Sequence, residues 1–342
     1  MKRINTWLCL LGAVLVLGLS APASAANVEW KMANPWPEKH PASKAIAALL
    51  ADVEARTNGS VKIKAVNLKA IGFKQGDLLR VIKQGVTEAS LFVPYYIARD
   101  APALANVIPT GGLADAEENL KIDDIQREYA KELLAKDWDS VMAAPFFNRG
   151  GRDLIIVSRD PINTLDGLMG KKVRHFDKLG LKAMENLGIH AQILPQSELY
   201  IALKTGVVDA AVHGMTNARS QSIYEVAKYF SEFTPFPGQG APYGIIVRND
   251  HWAMLDDSQK KAIAEAGKKS WDEGVALWRD ATLTNEARDY MVSQGAKNMG
   301  PFSADERVKL QKMVFEVWKE ACEKLGPRAV KLYEDVVAAL SK

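Results

Sequence analysis

Hydrophobic and polar positions along this chain follow two different periods, which alternate from one segment to the next. Residues 41–56 carry apolar side chains three and four positions apart, which is typical of an amphipathic helix. Residues 61–66 alternate apolar and basic side chains, which is typical of a half-buried strand. The turn dipeptide Asn58-Gly59 separates the two stretches. This alternation of helix and strand predicts an α/β fold.

The same alternation extends over most of the chain, in two rounds that meet near residue 150. Strands are predicted at 28–32, 61–66, 86–93, 153–158, 173–176, 191–194, 207–212 and 243–247. Helices are predicted at 41–56, 75–83, 179–187 and 198–205, followed by long helical stretches over 256–296 and 303–340. The pattern therefore predicts two α/β lobes and a largely helical last quarter.

Two stretches, IKQGVTEASLFV (82–93) and LKTGVVDAAVHG (203–214), share one pattern. In each, a helix ends in Lys-x-Gly, and an acidic residue stands three positions after the glycine, just before a strand. These acids are Glu88 and Asp209. Two lobes of similar construction would explain the match, and so would the independent use of the same turn chemistry.

The strand ends are candidate ligand positions, because ligands of open α/β sheets bind beyond the carboxyl ends of the strands. One predicted strand ends with Phe92 and Val93 and is followed by Tyr95 and Tyr96, and another ends near His213. Trp36 follows the first strand between two prolines, where it would form a wall of a cleft or anchor a stiff loop. We therefore expect a cleft with aromatic side chains at its rim.

The first 25 residues have the three parts of a signal peptide. Lys2 and Arg3 precede an apolar run that is too short for a membrane span, and Ala23-Ser24-Ala25 resembles a cleavage site. No later stretch is long and apolar enough to cross a bilayer. We expect cleavage of residues 1–25 and a soluble protein in a bacterial periplasm.

Composition and charge exclude several classes of protein. Of the two cysteines, Cys9 lies in the predicted signal peptide, so Cys322 has no intrachain disulfide partner, and a cysteine-rich zinc site is not possible. The formal net charge of +3 is too small to indicate a nucleic-acid surface. The sequence has no H-E-x-x-H, Walker or G-x-S-x-G motif and no other metal-ligand spacing. Binding without a cofactor or metal is therefore favoured over catalysis.

The stretch GKKVRHFDK (170–178) contains the strongest candidate for a binding residue. Side chains alternate along a strand, so Arg174 and Phe176 share one face. A second arginine, Arg152, precedes another predicted strand and follows two glycines, which would let a ligand approach the backbone. An arginine fork binds a carboxylate through two parallel hydrogen bonds. The residues indicate either an anion-binding cleft or an edge strand whose arginines are solvated or paired with local acids.

Several stretches resemble the solute-binding receptors of tripartite ATP-independent periplasmic (TRAP) transporters, of the DctP type. ARTNGSVKIKAV (55–66) is similar to the first helix-to-strand turn of that family, and LLRVIKQGVTEASLF (78–92) to its second helix and strand. INTLDGLMGKKVR (162–174) is similar to the run that ends in the family's signature arginine. The most specific match is SELYIALKTGVVDAAV (197–212).

The resemblance implies roles for individual residues. It makes Arg174 the residue that grips the ligand carboxylate, with Arg152 as its helper. Many members have an asparagine where this chain has His213, and Thr216 or Asn217 would supply polar contacts instead. Because of this departure, a sialic-acid or C4-dicarboxylate ligand is not assumed.

The resemblance also implies an architecture and a partner. The expected α/β fold is that of a two-lobed periplasmic binding protein, with crossing strands between the lobes and a long helix spanning both. Residues 26–149 plus about 238–285 would form lobe I, and residues 150–237 plus about 286–342 would form lobe II. The expected partner is an integral-membrane TRAP permease that is driven by a sodium gradient rather than by ATP.

Together these features predict a receptor for a small-molecule organic acid. One carboxylate grip beside several aromatic candidates, namely Phe176, Trp36, Phe92 and Tyr95, favours a monocarboxylate with an apolar or aromatic body. A keto or hydroxy acid and a dicarboxylate are the alternative ligands. A receptor of the ATP-driven (ABC) class and a periplasmic enzyme that acts on an organic acid are the alternative functions.

Overall fold

The structure is a computed structural model that describes residues 27–107, 112–113, 116–147, 154–232 and 242–341. The predicted signal peptide and Arg152 lie outside these residues. Within them, the strands are β1 (Val28–Asn34), β2 (Val61–Asn67), β3 (Ala89–Phe92), β4 (Ser140–Pro145), β5 (Leu154–Ser158), β6 (Val173–His175), β7 (Ala191–Ile193), β8 (Ala210–Gly214), β9 (Tyr229–Glu232), β10 (Gly244–Arg248) and β11 (Lys297–Pro301). The helices are α1 (Pro41–Arg56), α2 (Leu78–Lys83), α3 (Ala116–Asp137), α4 (Lys178–Asn186), α5 (Leu199–Thr205), α6 (Met215–Ser220), α7 (Asn249–Ala253), α8 (Asp257–Asp280), α9 (Thr282–Ser293), α10 (Ala304–Leu325) and α11 (Pro327–Leu340).

The strands form two sheets of similar topology. The first sheet has the order β2-β1-β3-β10-β4, and the second has the order β11-β9-β5-β8-β6-β7. In each sheet, three neighbouring parallel strands are followed by one antiparallel strand, β10 or β5. The chain reaches β5 from β4 of the first sheet, and it reaches β10 from β9 of the second. The molecule therefore has the predicted two-lobed α/β architecture, with the chain crossing between the lobes.

The predicted helix across both lobes is present but interrupted. α8 packs against α1 and β4 of the first lobe, whereas α9 packs against α6 of the second. Between them, Ala281 has a left-handed backbone with φ 58°, and no glycine or proline in the sequence marks this break. α10 then packs against α4, and α11 packs against α3. The C-terminal helices thus contact both lobes. The division of the chain into residues of lobe I and residues of lobe II stays a prediction.

Strands β5, β6 and β8 of the second sheet are buried along their whole length. Successive side chains of a strand point to opposite sides, so both faces of these strands are covered. Along β5, Leu154 and Ile156 join one hydrophobic cluster, and Ile155 and Val157 join another. Helices cover both clusters. The strands that lead to the predicted site, β6 and β8, therefore lie in a layer that is covered on both sides.

The C-terminal helices form a further core together with α3. Trp318, Leu332 and Val336 are buried there against Ile122 and Tyr129 of α3. The apolar faces of α10 and α11 are therefore used for packing inside the chain. None of the helices in the described ranges has the length and hydrophobicity of a membrane span.

Most predicted elements lie where the hydrophobic pattern placed them. α1 has the predicted bounds. β3 and β8 each begin three residues later than predicted, because the residues after Gly85 and Gly206 first complete a turn. The pattern gave no prediction for α3, β4, β9 and β11.

Candidate ligand-binding site

Arg174 is buried at the centre of the candidate site. Strand β6 lies between β8 and β7, so Arg174 projects from an inner strand of the second sheet. Its side chain is 2% exposed. Nε donates to the Leu194 carbonyl at 3.0 Å, and Nη1 donates to the Val212 carbonyl at 2.9 Å. These bonds fix the guanidinium and leave Nη2 without a partner in the part of the chain that the structure describes.

No carboxylate of the described residues compensates the charge of Arg174. Burial lowers the pKa of Arg174 to about 10, and the phenol of Tyr96 is the only described ionisable group that opposes this shift. The guanidinium therefore stays charged at neutral pH. An unpaired buried charge is costly unless solvent or a ligand compensates it. Arg174 thus has the environment of a group that receives an anion.

A second buried arginine, Arg127 on α3, is compensated within the chain. Its guanidinium contacts the Asp123 carboxylate at 2.7 Å and donates to the Tyr243 carbonyl at 2.9 Å. It also lies 4.8 Å from the ring centroid of Trp271. Arg127 therefore has a structural role, and it holds Tyr243, whose ring centroid is 6.3 Å from that of Trp36.

Phe176 joins the two lobes beside Arg174. The guanidinium carbon of Arg174 lies 5.5 Å from the Phe176 ring centroid, within the range of a cation–π contact. Phe176 also meets Tyr95 of the first lobe edge-on, with ring centroids 6.0 Å apart. It packs against hydrophobic clusters of both lobes. The structure therefore brings Arg174, Phe176 and Tyr95 together between the lobes.

Trp36 and Tyr96 form a hydrogen-bonded aromatic wall in the first lobe. Trp36 Nε1 donates to the Tyr96 hydroxyl at 3.3 Å. Asn34 and Asn67 hold the backbone of Trp36 through hydrogen bonds of 3.1 and 2.6 Å. Burial raises the pKa of Tyr96, while the bond from Trp36 and the charge of Arg174 oppose that shift. Trp36 and Arg174 therefore border the same cleft, with Tyr96 between them.

Two neutral histidines lie near this cleft, one from each lobe. His40 precedes α1 and stacks on Trp36, with ring centroids 5.1 Å apart and planes 7° from parallel. His213 lies on β8 and is buried. Burial lowers the pKa of His40 to about 3. Burial also lowers the pKa of His213 well below its usual value, and the charge of Arg174 lowers it further.

The remaining predicted residues have different positions. Asn217 is buried in the first turn of α6, directly after β8, and its Oδ1 has no hydrogen-bond partner among the described residues. Phe92 ends β3 and is 1% exposed within the first-lobe core. Arg152 lies outside the described residues. Contacts of these three residues with a ligand stay a prediction.

The sequence pattern did not single out His40 and Gln75 as members of the site. His40 Nδ1 accepts from the backbone N–H of Ala42 at 3.1 Å, which makes it the N-cap of α1. That role is readable from its place before Pro41, but its stacking on Trp36 depends on tertiary packing. Gln75 of the first lobe accepts a hydrogen bond of 3.4 Å from the backbone N–H of Gln196 in the second.

The described side chains supply the chemistry of anion binding. They provide one fixed cation, two neutral imidazoles and several aromatic rings. No group of three or more His, Cys, Asp or Glu side chains within the described ranges is arranged to hold a metal ion. The arrangement suits an anion with an apolar body.

The sequence matches a known family over most of its length. Residues 32–325 match the DctP family, which is described as bacterial extracellular solute-binding protein, family 7. The chain belongs to this family. The resemblance inferred from the sequence motifs is therefore confirmed. As a member of this family, the protein is a solute receptor rather than an enzyme. The site residues from Trp36 to Asn217 all lie within the matched range.

Three relatives are similar to this chain over most of both lengths. A solute-binding protein from Chromohalobacter salexigens is 26% identical and covers 84% of this chain and 85% of its own length. The C4-dicarboxylate-binding periplasmic protein DctP from Rhodobacter capsulatus is 25% identical, with coverages of 94% and 95%. A monocarboxylate 2-oxoacid-binding periplasmic protein from Nostoc is also 25% identical, with coverages of 89% and 82%.

Solved structures show the same fold. An extracytoplasmic solute receptor from Bordetella pertussis that binds pyroglutamic acid has a TM-score of 0.76 at 19% identity, covering 92% of this chain and 100% of its own. A TRAP solute-binding protein from Chromohalobacter salexigens with bound D-glucuronate has a TM-score of 0.76 at 23% identity, with coverages of 91% and 99%. The two-lobed architecture of TRAP receptors is therefore shared by this chain.

Proposed function

We propose that this protein captures a monocarboxylate between its lobes through a salt bridge with Arg174 and delivers it to a TRAP permease. The observation that carries this proposal is the buried, fixed and uncompensated guanidinium of Arg174. A ligand carboxylate would supply the missing negative charge and accept from Nη2. Because charge-assisted hydrogen bonds are roughly twice as strong as neutral ones, this contact would dominate affinity.

The surroundings of Arg174 support an apolar or aromatic ligand body. Phe176 lies 5.5 Å from the guanidinium carbon, Tyr95 meets Phe176 edge-on, and Trp36 is hydrogen-bonded to Tyr96. Within the described residues, Arg174 is the one cation in cation–π contact with any of these three rings, which favours one carboxylate over two. A dicarboxylate would need a second cation, and Arg152 is the residue proposed for that role.

A thermal-shift screen of the protein against organic acids tests this proposal. At about a hundred times its dissociation constant, a ligand should stabilise the protein by roughly 2.7 kcal/mol, which gives a clear rise in melting temperature. The rise should disappear in Arg174→Ala and persist in Arg159→Ala, which removes an exposed arginine of the same lobe. A rise in melting temperature that persists in Arg174→Ala would contradict the assignment of Arg174 as the residue that binds the carboxylate.

The location and the partner have separate tests. The family is extracellular, and we propose that residues 1–25 direct this chain to the periplasm. The intact mass of the protein from a periplasmic extract should then correspond to a chain that begins at Ala26.

Uptake of the identified acid by vesicles that carry a TRAP permease should require this protein and a sodium gradient. Uptake that needs ATP instead would contradict the permease assignment.

A further inference from the structure

A cavity of about 830 Å³ lies between the lobes, and Arg174, Phe176 and Tyr95 do not line it. α1 of the first lobe forms one wall, and α6 and α9 of the second lobe form another. Lys39 and Thr216 line the cavity, and each directly precedes a residue near the Arg174 site. The volume is within the range of about 300–1,000 Å³ that is typical of small-molecule sites.

Three basic side chains line this cavity, and no acidic side chain of the described residues does. Lys39 and Lys44 come from the first lobe, and Arg219 comes from the second. The two lysines form no ion pair within the described part of the chain. Arg219 has one acidic neighbour, Glu286, whose carboxylate oxygen is 3.9 Å from Nη1, which is long for an ion pair. The lining of the cavity therefore carries an excess of positive charge.

Aromatic and aliphatic side chains form the apolar part of the same cavity. Tyr224 and Tyr290 meet edge-on, with ring centroids 5.8 Å apart and planes at 80°. The guanidinium carbon of Arg219 lies 4.7 Å from the Tyr290 ring centroid, a cation–π contact that holds this cation against the wall. Leu277 of α8 and Leu283 of α9 add aliphatic surface. The cavity thus combines cations with apolar walls.

An organic anion with an apolar body matches both parts of this lining. Its anionic head would pair with the basic side chains, and its body would cover the rings and the leucines. A simple inorganic anion would leave the apolar walls in water. A neutral hydrocarbon would gain nothing from the cations.

We propose that this cavity is a second ligand site of the protein, which binds an amphipathic organic anion independently of Arg174. The proposal goes beyond the proposed function, because it needs no carboxylate in the cleft. Since the walls come from both lobes, the occupant contacts both of them beside the break between α8 and α9.

The fluorescent probe 8-anilinonaphthalene-1-sulfonate tests this site, because it joins a sulfonate to an aromatic body. Titration of the folded wild-type protein should give a saturable rise in probe fluorescence. Arg174→Ala should keep this saturable binding, since the substitution leaves the lining of the cavity intact. Naphthalene-1-sulfonate should displace the probe at concentrations at which inorganic sulfate does not.

Two triple variants that lose the same net charge test the role of the cations. The cavity variant carries Lys39→Ala, Lys44→Ala and Arg219→Ala. The control variant carries Lys62→Ala, Lys64→Ala and Lys69→Ala, at exposed positions of the first lobe that do not line the cavity. The cavity variant should bind the probe about tenfold more weakly, because each exposed ion pair contributes roughly twofold to fivefold in affinity. The control variant should keep the wild-type affinity.

A filling substitution tests the cavity itself without changing its charge. Ser220 is half-buried and lines the cavity, so the larger side chain of Ser220→Trp would occupy its space. This variant should show no measurable saturable binding of the probe. Melting temperatures show whether each variant is folded.

The outcomes separate this inference from the proposed function. Equal probe affinities in the two triple variants, or wild-type affinity in folded Ser220→Trp, overturn the second site. Loss of probe binding in Arg174→Ala also overturns it, because the probe would then bind at Arg174. Absence of saturable binding to the wild type overturns it as well. The screen of organic acids tests the carboxylate contact of Arg174 separately.

Discussion

The two lobes use the same unit of structure but place different chemistry on it. The first-lobe unit runs from Gln75 to Tyr96 and the second-lobe unit from Gln196 to Asn217, and equivalent positions are 121 residues apart. Each unit begins with a 3₁₀ turn, continues as a short helix, α2 or α5, and enters an inner strand, β3 or β8. The repeated sequence pattern therefore corresponds to a repeated structure.

The equivalent acidic residues of the two units make the same kind of hydrogen bond. Glu88 accepts from the backbone N–H of Lys31 at 2.7 Å, and Asp209 accepts from that of Lys172 at 3.0 Å. Lys31 lies on β1 and Lys172 directly precedes β6, which are the strands beside β3 and β8. Each acid thus ties the entry of an inner strand to its parallel neighbour.

The chemistry differs at matched positions of the two lobes. The register of β1 with β3 and of β6 with β8 makes Ala33 the counterpart of Arg174. By the alignment of the two units, Phe92 is the counterpart of His213. At these two positions the first lobe has apolar side chains, and the second has a charged and a polar one. The shared backbone structure sets the positions of these side chains but not their chemical type.

Acidification should have the largest effect on the stability of this framework. Burial lowers the pKa of both His40 and His175 to about 3 and lowers that of His213 as well. Below about pH 6.5 the unfolded chain binds protons that the folded chain does not, so the free energy of unfolding falls as the pH falls towards 3. At pH 5 we expect a loss of about 2 kcal/mol for each of His40 and His175, and a further loss from His213.

Urea unfolding at pH 7.5 and pH 5.0 measures this loss. His213→Phe introduces the first-lobe residue at this position and removes one titrating group, so its stability should depend less on pH than that of the wild type. A free energy of unfolding that is equal at the two pH values would contradict the neutral, buried state of the histidines.

The two buried arginines should differ in their effect on the ligand-free protein. Arg127→Ala leaves the Asp123 carboxylate buried without its partner, and we expect a loss of about 3–5 kcal/mol of unfolding free energy. Arg174→Ala leaves no described acid unpaired, so its loss should be smaller. Urea unfolding without ligand compares the two variants. Equal losses would show that Arg174 is also compensated within the chain.

The glycine turns of the two units should respond alike. Gly85 and Gly206 have φ of 69° and 76°, in the left-handed region that disfavours a side chain. Gly85→Ala and Gly206→Ala should each lower the unfolding free energy by about 1–2 kcal/mol, because alanine is strained there. Thermal or urea unfolding of the matched pair measures this. A large effect in only one lobe would argue against structural equivalence.

The matched acids should have the smallest effect. Glu88→Ala and Asp209→Ala each remove one hydrogen bond to a backbone N–H, and we expect about 1 kcal/mol of lost stability for each. Unfolding curves of both variants provide the measurement. A loss of unfolding free energy in one lobe that is several times the loss in the other would contradict the structural equivalence of the two units.

The fold was largely predictable because its signals are local. Helical spacing gave the bounds of α1, and the Lys-x-Gly pattern gave the order of helix, turn and strand in both units. The break at Ala281 was not predictable, since no residue with a special backbone preference stands there. It arises where the chain leaves one lobe for the other, which is a property of tertiary packing.

The candidate site was predictable in part. Strand alternation placed Arg174 and Phe176 on one side, and the structure has them in contact. His40 was missed because its capping role is local, and no sequence signal places its ring on that of Trp36, four residues earlier. The uncompensated charge of Arg174 also appears only when its surroundings are known.

The central claim is that the Arg174 guanidinium binds a ligand carboxylate. The most direct measurement is the affinity of the acid found by the screen and of its neutral primary amide, for the wild type and for Arg174→Ala. We expect the wild type to prefer the acid by about a hundredfold or more, and Arg174→Ala to bind the acid and the amide about equally weakly. An acid preference of the same size in Arg174→Ala would show that another group binds the carboxylate.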